Sequence, residues 1–173
     1  MLFKIDWNEY PENYILTTNL GEEWIRYPYH NKKMYKAYPE ELVRLQTIHF
    51  LFKKMKVPCL KGAIEVEVKM FEFDEKYNGR ADIVVYAEDE EFFVPILIVE
   101  CKANHIALTE EVFEQAKRYD EVLFANNIMI TNGKLLKFYS WKEEEKKYIE
   151  LKKIPTYQEL AKKENLHPIS EIG

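Results

Sequence analysis

The chain has 173 residues, 47% hydrophobic and 32% charged, with a formal net charge of -5. That composition describes one folded domain, or one with extensions, and excludes a disordered chain. The longest apolar run, Phe92 to Val99, is broken by Pro95 and is too short to cross a bilayer, so no membrane association is expected. The acidic balance argues against a broad basic coat, although clustered carboxylates that hold cations lower the net charge in the same way. No apolar leader with a small-residue cleavage site surrounds Lys4 and Asp6, and a cytoplasmic location is expected. Cys59 and Cys101, the two cysteines, are expected to be buried free thiols in a reducing compartment.

Residues 1–38 are aromatic and irregular, with Trp7, Tyr10, Tyr14, Trp24, Tyr27, Tyr29 and Tyr35 among Pro, Asn and Gly. They read as an N-terminal extension of short strands that packs on a core at 39–141. At Pro39 the pattern becomes helical: Pro enters the first turn, followed by Glu40 and Glu41, whose charges suit the helix dipole. Leu45, Ile48, Phe52 and Met55 project within about 40° of one line, with Glu41 in the middle of it and Glu40 roughly 100° away. Glu41 therefore faces inward, either toward a site or toward Arg44 one turn on, and the choice between Glu40 and Glu41 is open by one residue.

Ile64, Val66, Val68 and Met70 alternate with charged residues, as a half-buried strand does. Asn78-Gly79 is a turn signal, and Arg80 to Tyr86 is the next strand. The acidic run Glu88 to Glu91 turns the chain into Phe92, and a continuous apolar strand then ends in Glu100-Cys101-Lys102. These three runs form an antiparallel meander that sets Asp82 and Glu100 on adjacent strands. On a period of two, Glu100 and Lys102 share a face and Cys101 takes the other. Thr109 caps a second helix with Val112, Ala116, Tyr119 and Leu123 on its inner face. Gln115 lies four residues before Tyr119, so both polar tips fall on one side. Ile128 to Thr131 returns parallel, and Asn132-Gly133 turns it into Leu135 to Trp141. Residues 142–173 are a charged C-terminal extension with a surface helix after Pro155. The histidines His30, His49, His105 and His167 show no metal-ligand spacing.

The order helix, three-strand meander, helix, strand describes an α/β fold with a mixed central sheet flanked by helices. Glu41, Asp82, Glu100, Lys102, Gln115 and Tyr119 are polar at otherwise apolar places. Carboxylates from different elements suit a hard cation such as Mg2+, with Mn2+ as a substitute, and the Cys101 carbonyl adds an oxygen. A lysine on the same face suits an attacking water or the developing charge on a phosphate.

Asp82 followed by Glu100-Cys101-Lys102 resembles the PD-(D/E)XK nuclease signature in its Asp...Glu-x-Lys form. Pro39 to Arg44, Arg80 to Tyr86, Ile98 to Ala103, Gln115 to Tyr119 and Thr131 to Gly133 resemble the N-terminal nuclease domain of type I restriction enzyme R subunits, over about Ile25 to Trp141. The resemblance implies a restriction-endonuclease-like αβββαβ core and Mg2+-dependent hydrolysis of DNA. It assigns Glu41 as the helix carboxylate, Asp82 and Glu100 as metal ligands, Lys102 as the catalytic lysine, and Gln115 with Tyr119 as a Gln-x-x-x-Tyr motif tied to activity and DNA contact. The chain carries only 5 Gly and no Gly-x-x-x-x-Gly-Lys, so it is not expected to translocate DNA itself. Two readings follow. One is a restriction-type endonuclease, alone or with a targeting or motor subunit, and as a homodimer if both strands are to be cut. The other is a nuclease-fold module that binds nucleic acid or protein without cutting.

Overall fold

The structure is a computed structural model and describes residues 3–4, 15–17, 20–27 and 34–170. Trp7, Tyr10, Tyr14, Tyr29 and His30 lie outside the described residues. In chain order the elements are β1 (Phe3–Lys4), β2 (Ile15–Thr17), β3 (Glu23–Arg26), β4 (Met34–Lys36), α1 (Pro39–Lys53), β5 (Ile64–Lys69), a single 3₁₀ turn (Met70–Glu72), β6 (Arg80–Glu88), β7 (Phe93–Cys101), α2 (Glu110–Leu123), β8 (Asn127–Thr131), β9 (Leu135–Lys142), β10 (Lys147–Glu150) and α3 (Tyr157–Lys163). The helix-meander-helix-strand order of an αβββαβ core is present. It sits in a seven-stranded mixed sheet of order β1-β9-β8-β7-β6-β5, with β10 also on β9, while β2, β3 and β4 form a small antiparallel sheet.

The centre of the large sheet is the β6–β7 pair. Ile83, Val84, Val85, Ile96, Leu97, Ile98 and Val99 are all fully buried. Burial of each such side chain is worth roughly 1.5–3 kcal/mol, which makes this pair a firm base for whatever stands at its end. Pro95 has no N–H to give; it lies opposite Tyr86, where the register shifts, and the Tyr86 carbonyl accepts from the Tyr157 hydroxyl at 2.8 Å. From there the ladder runs regularly to Ile83–Val99. β7 continues beside β8 in parallel, pairing Glu100 with Ile130 and Cys101 with Thr131. The crossover between them is α2, as parallel neighbours require.

Several sequence expectations change. α1 buries Val43, Arg44, Thr47, Phe50 and Leu51 as well as Leu45 and Ile48. It is therefore covered on more than the one stripe the projection assigned, because Tyr27, just after β3, and Tyr35 in β4 join the same core. Thr109 stands at the α2 N-cap position with extended backbone, but its side chain makes no capping hydrogen bond. Phe92 is outside β7 and 66% exposed. Cys59 is exposed rather than buried, since it follows α1 in the loop before β5.

The charged C-terminal stretch is also less solvated than its composition suggests. β10 pairs with β9 from Lys147–Lys142 to Glu150–Tyr139. α3 buries Tyr157, Leu160 and Ala161, with Thr156 accepting from the Glu159 N–H at 3.2 Å as a true cap. The Tyr157 hydroxyl donates to the Tyr86 carbonyl at 2.8 Å and so pins α3 to the central strands. Among the described residues, no helix is long and apolar enough to cross a membrane.

Candidate active site

The site forms where the β6–β7 ladder gives way. Beyond Ile83–Val99 the strands are joined by side chains: the Asp82 N–H donates to Glu100 Oε1 at 3.3 Å, and the Cys101 N–H donates to Asp82 Oδ2 at 2.7 Å. Each carboxylate thus stands in for a missing ladder partner of the other strand, which fixes both and brings them together. Glu100 is 2% exposed and Asp82 half-buried. Burial pushes the Asp82 carboxyl up to about 6; the charge of Glu40 adds to the rise, while Arg44, the Cys101 N–H and Lys102 oppose it. Burial, followed by the charge of Asp82, holds Glu100 well above the usual carboxylate range. Two acids pressed together out of water are costly unless a cation joins them.

Lys102 follows directly, its N–H anchored on the Thr131 carbonyl at 2.9 Å. Its ammonium donates to Gln115 Oε1 at 3.4 Å, and Gln115 Nε2 donates to the Tyr119 hydroxyl at 3.1 Å. The pair spaced four apart on α2 therefore forms one polar line that ends at the lysine. Cys101 contributes main chain rather than chemistry: its thiol is fully buried, turned to Thr47 Oγ1 at 3.7 Å, and pushed well up by burial. Such a thiol is no nucleophile.

The α1 carboxylates divide as the projection set them, Glu41 inward and Glu40 outward, but the inward acid is already paired. Glu41 forms an ion pair with Arg44 and accepts from the Tyr27 hydroxyl at 3.1 Å. Glu40 is exposed, yet its charge acts on Asp82. Arg44, which the sequence offered only as a partner for Glu41, lies at the centre of this side of the site. It is 7% exposed, donates to the Asp82 carbonyl at 3.4 Å and lies over the Tyr35 ring at 5.2 Å. Burial works against its charge, but Glu41 and then Asp82 outweigh this and hold the guanidinium above its ordinary range. Tyr35 in turn donates to Glu67 Oε2 at 2.8 Å, and Arg80 pairs with Glu67. Glu67 has a left-handed backbone at φ +60 inside β5, between the pairs Val66–Ile83 and Val68–Ala81, so the strained position lies beside Asp82. No sequence pattern marks Glu67 or Tyr35, because their link is tertiary.

The side-chain donors are all oxygen, the carboxylates of Asp82 and Glu100. They fit a hard divalent cation, and the raised carboxyl groups are a structural reason for one to bind. Among the described residues, no three or more His, Cys, Asp or Glu side chains gather so as to hold a metal ion by themselves.

A family model described as Type I restriction enzyme R protein N terminus matches residues 39–155. No curated protein and no solved structure gives a significant match.

Proposed function

Because the chain belongs to the family of the type I restriction enzyme R protein N terminus, we propose that it is a restriction-type nuclease that hydrolyses the phosphodiester bonds of DNA with a divalent cation. Mg2+ is the natural ion for this oxygen donor set, with Mn2+ able to replace it. Asp82 and Glu100 would hold the ion with the Cys101 carbonyl. When bound, it supplies Lewis-acid polarisation of the phosphoryl oxygen and neutralises charge on the phosphate.

The observation that carries this reading is that Lys102, two residues after Glu100, acts by its charge on both carboxylates while its ammonium is tied to Gln115 at 3.4 Å. A water oxygen bonds to phosphorus as the bond to the leaving sugar oxygen breaks. Lys102 orients that water and stabilises the negative charge that develops on the phosphoryl group. Gln115 and Tyr119 keep the ammonium from collapsing onto the carboxylates. Glu41, the helix carboxylate of the resemblance, is held by Arg44 and Tyr27. Glu41 then acts through Arg44, which holds the Asp82 main chain. Cutting both strands of a duplex needs two centres or two events, which a second copy or a motor-bearing partner would supply.

The test is conversion of supercoiled plasmid by purified protein in Mg2+, in EDTA, and by Lys102→Ala in Mg2+. Cutting is expected only for the unaltered protein with Mg2+. Equal cutting by Lys102→Ala would remove the lysine from its role, and binding of DNA without any cutting would establish the non-cleaving module instead.

A further inference from the structure

The lysine end of the site rests on a position that has no side chain. Gly79 closes the segment between the 3₁₀ turn and β6, its carbonyl accepting from the Met70 N–H at 3.0 Å, and its backbone is left-handed at φ +96. A Cβ built there stands 2.9 Å from both Cε1 and the hydroxyl oxygen of Tyr119. Real Cβ atoms essentially never approach that closely, so either the turn or the ring would have to move. Tyr119 is only 7% exposed, and its α2 neighbours Ala116 and Leu123 are buried as well. The ring therefore has little room to yield without disturbing what its hydroxyl holds.

What the hydroxyl holds is the orientation of Gln115. An ammonium has donors only, so Lys102 must face the amide oxygen, and the amide NH2 must then point to an acceptor. Tyr119 provides that acceptor at 3.1 Å. Displacing the ring removes the acceptor, frees the amide to rotate, and takes away the group that steadies the lysine.

We infer that Gly79 is a positioning residue for Lys102: the bare turn lets the Tyr119 ring lie against the main chain, which fixes Gln115 and through it the ammonium. Its consequence for cleavage rests on the proposed role of Lys102; the chain of contacts does not. Two causes must be separated, because any side chain at Gly79 also meets a left-handed backbone. Gly79→Asn keeps the offending Cβ while lessening the backbone penalty, because asparagine enters the left-handed region more readily than alanine. Gly21→Ala, at φ +79 with nothing within 4 Å, carries the backbone strain alone.

The experiment labels the lysine side chains with 13C at Cε and follows the Lys102 signal, assigned by its loss in Lys102→Arg. Gly79→Ala and Gly79→Asn should each shift that signal in the direction and to the extent that Gln115→Leu does, whereas Gly21→Ala should leave it in place. In a Tyr119→Leu background, which removes both clashing atoms, Gly79→Asn should shift it no further. In plasmid cleavage Gly79→Ala, Gly79→Asn and Gln115→Leu should lose roughly ten- to a hundredfold in kcat with KM unchanged, the cost of a small misplacement of a catalytic group, and Gly21→Ala should lose none. An unmoved Lys102 signal in folded Gly79→Asn, or an equal shift with and without Tyr119, would overturn the inference. If the unaltered protein never cuts but the lysine signals couple as described, the nuclease reading fails and the positioning role stands.

Discussion

Replacing Asp82 by Asn should stabilise the cation-free protein at neutral pH. In the fold, the carboxyl of Asp82 is raised from 3.8 to about 6, chiefly by burial. That difference corresponds to about 3 kcal/mol of free energy between its protonated and charged forms. The sign follows from proton counting. Between about pH 4 and 6 the folded state holds a proton that the unfolded chain has released, so this contribution to stability is fully present below pH 4 and lost as the pH rises through 6. The amide of Asp82→Asn would keep an oxygen to accept the Cys101 N–H, now bonded at 2.7 Å, and would carry no charge to bury. Removing the Asp82 charge also relieves Glu100, so the two effects add. The assay is urea unfolding in EDTA at pH 4.5 and pH 7.5. With a slope of about 2 kcal/mol per M, the Asp82→Asn midpoint should exceed that of the unaltered protein by roughly 1.5 M at pH 7.5, and the gap should shrink at pH 4.5. A gap that does not widen between the two pH values would refute the claim that Asp82 is held as a destabilised buried acid.

Other consequences follow from the same geometry. A thiol reagent applied to the folded protein should add once, at exposed Cys59, with no adduct on Cys101 until unfolding; intact-mass measurement with peptide mapping reads this directly. Arg44→Met should cost about 3 kcal/mol, because it leaves Glu41 with the Tyr27 hydroxyl but no cation in a mostly buried setting, and Glu41→Gln in the same chain should recover part of the loss. Additive losses in that double-mutant cycle would mean that the ion pair does not couple the two positions.

The core strands were legible because their periodicities are simple. Ile64 to Met70 alternates, β7 is continuously apolar, and Asn78-Gly79 and Asn132-Gly133 mark turns, so the meander and the parallel return follow from short-range rules. Asp82 and Glu100 were legible as neighbours for the same reason, since a register on period two leaves few alternatives. α1 was harder. A helical projection finds one buried stripe, but this helix is covered from a second side by Tyr27 and Tyr35, whose distance in sequence hides their contact. The projection therefore turned Glu41 inward correctly as geometry, but could not show that Arg44 and Tyr27 would occupy it. β10 and the buried face of the expected helix α3 were obscured by lysines and glutamates, which carry the surface of a segment whose Tyr157 and Leu160 are nevertheless in the core. Gly79 read as turn chemistry alone, and its contact with Tyr119 is visible only in three dimensions.

The central claim is that the paired carboxylates exist to hold a divalent cation beside Lys102. Titration calorimetry of Mg2+ into the metal-stripped protein and into Asp82→Asn at pH 7.5 tests it most directly. The account predicts saturable binding heat for the unaltered protein that is lost in Asp82→Asn, although that variant is folded and more stable without metal. Equal binding heats in the two proteins, or none in the unaltered one, would contradict it.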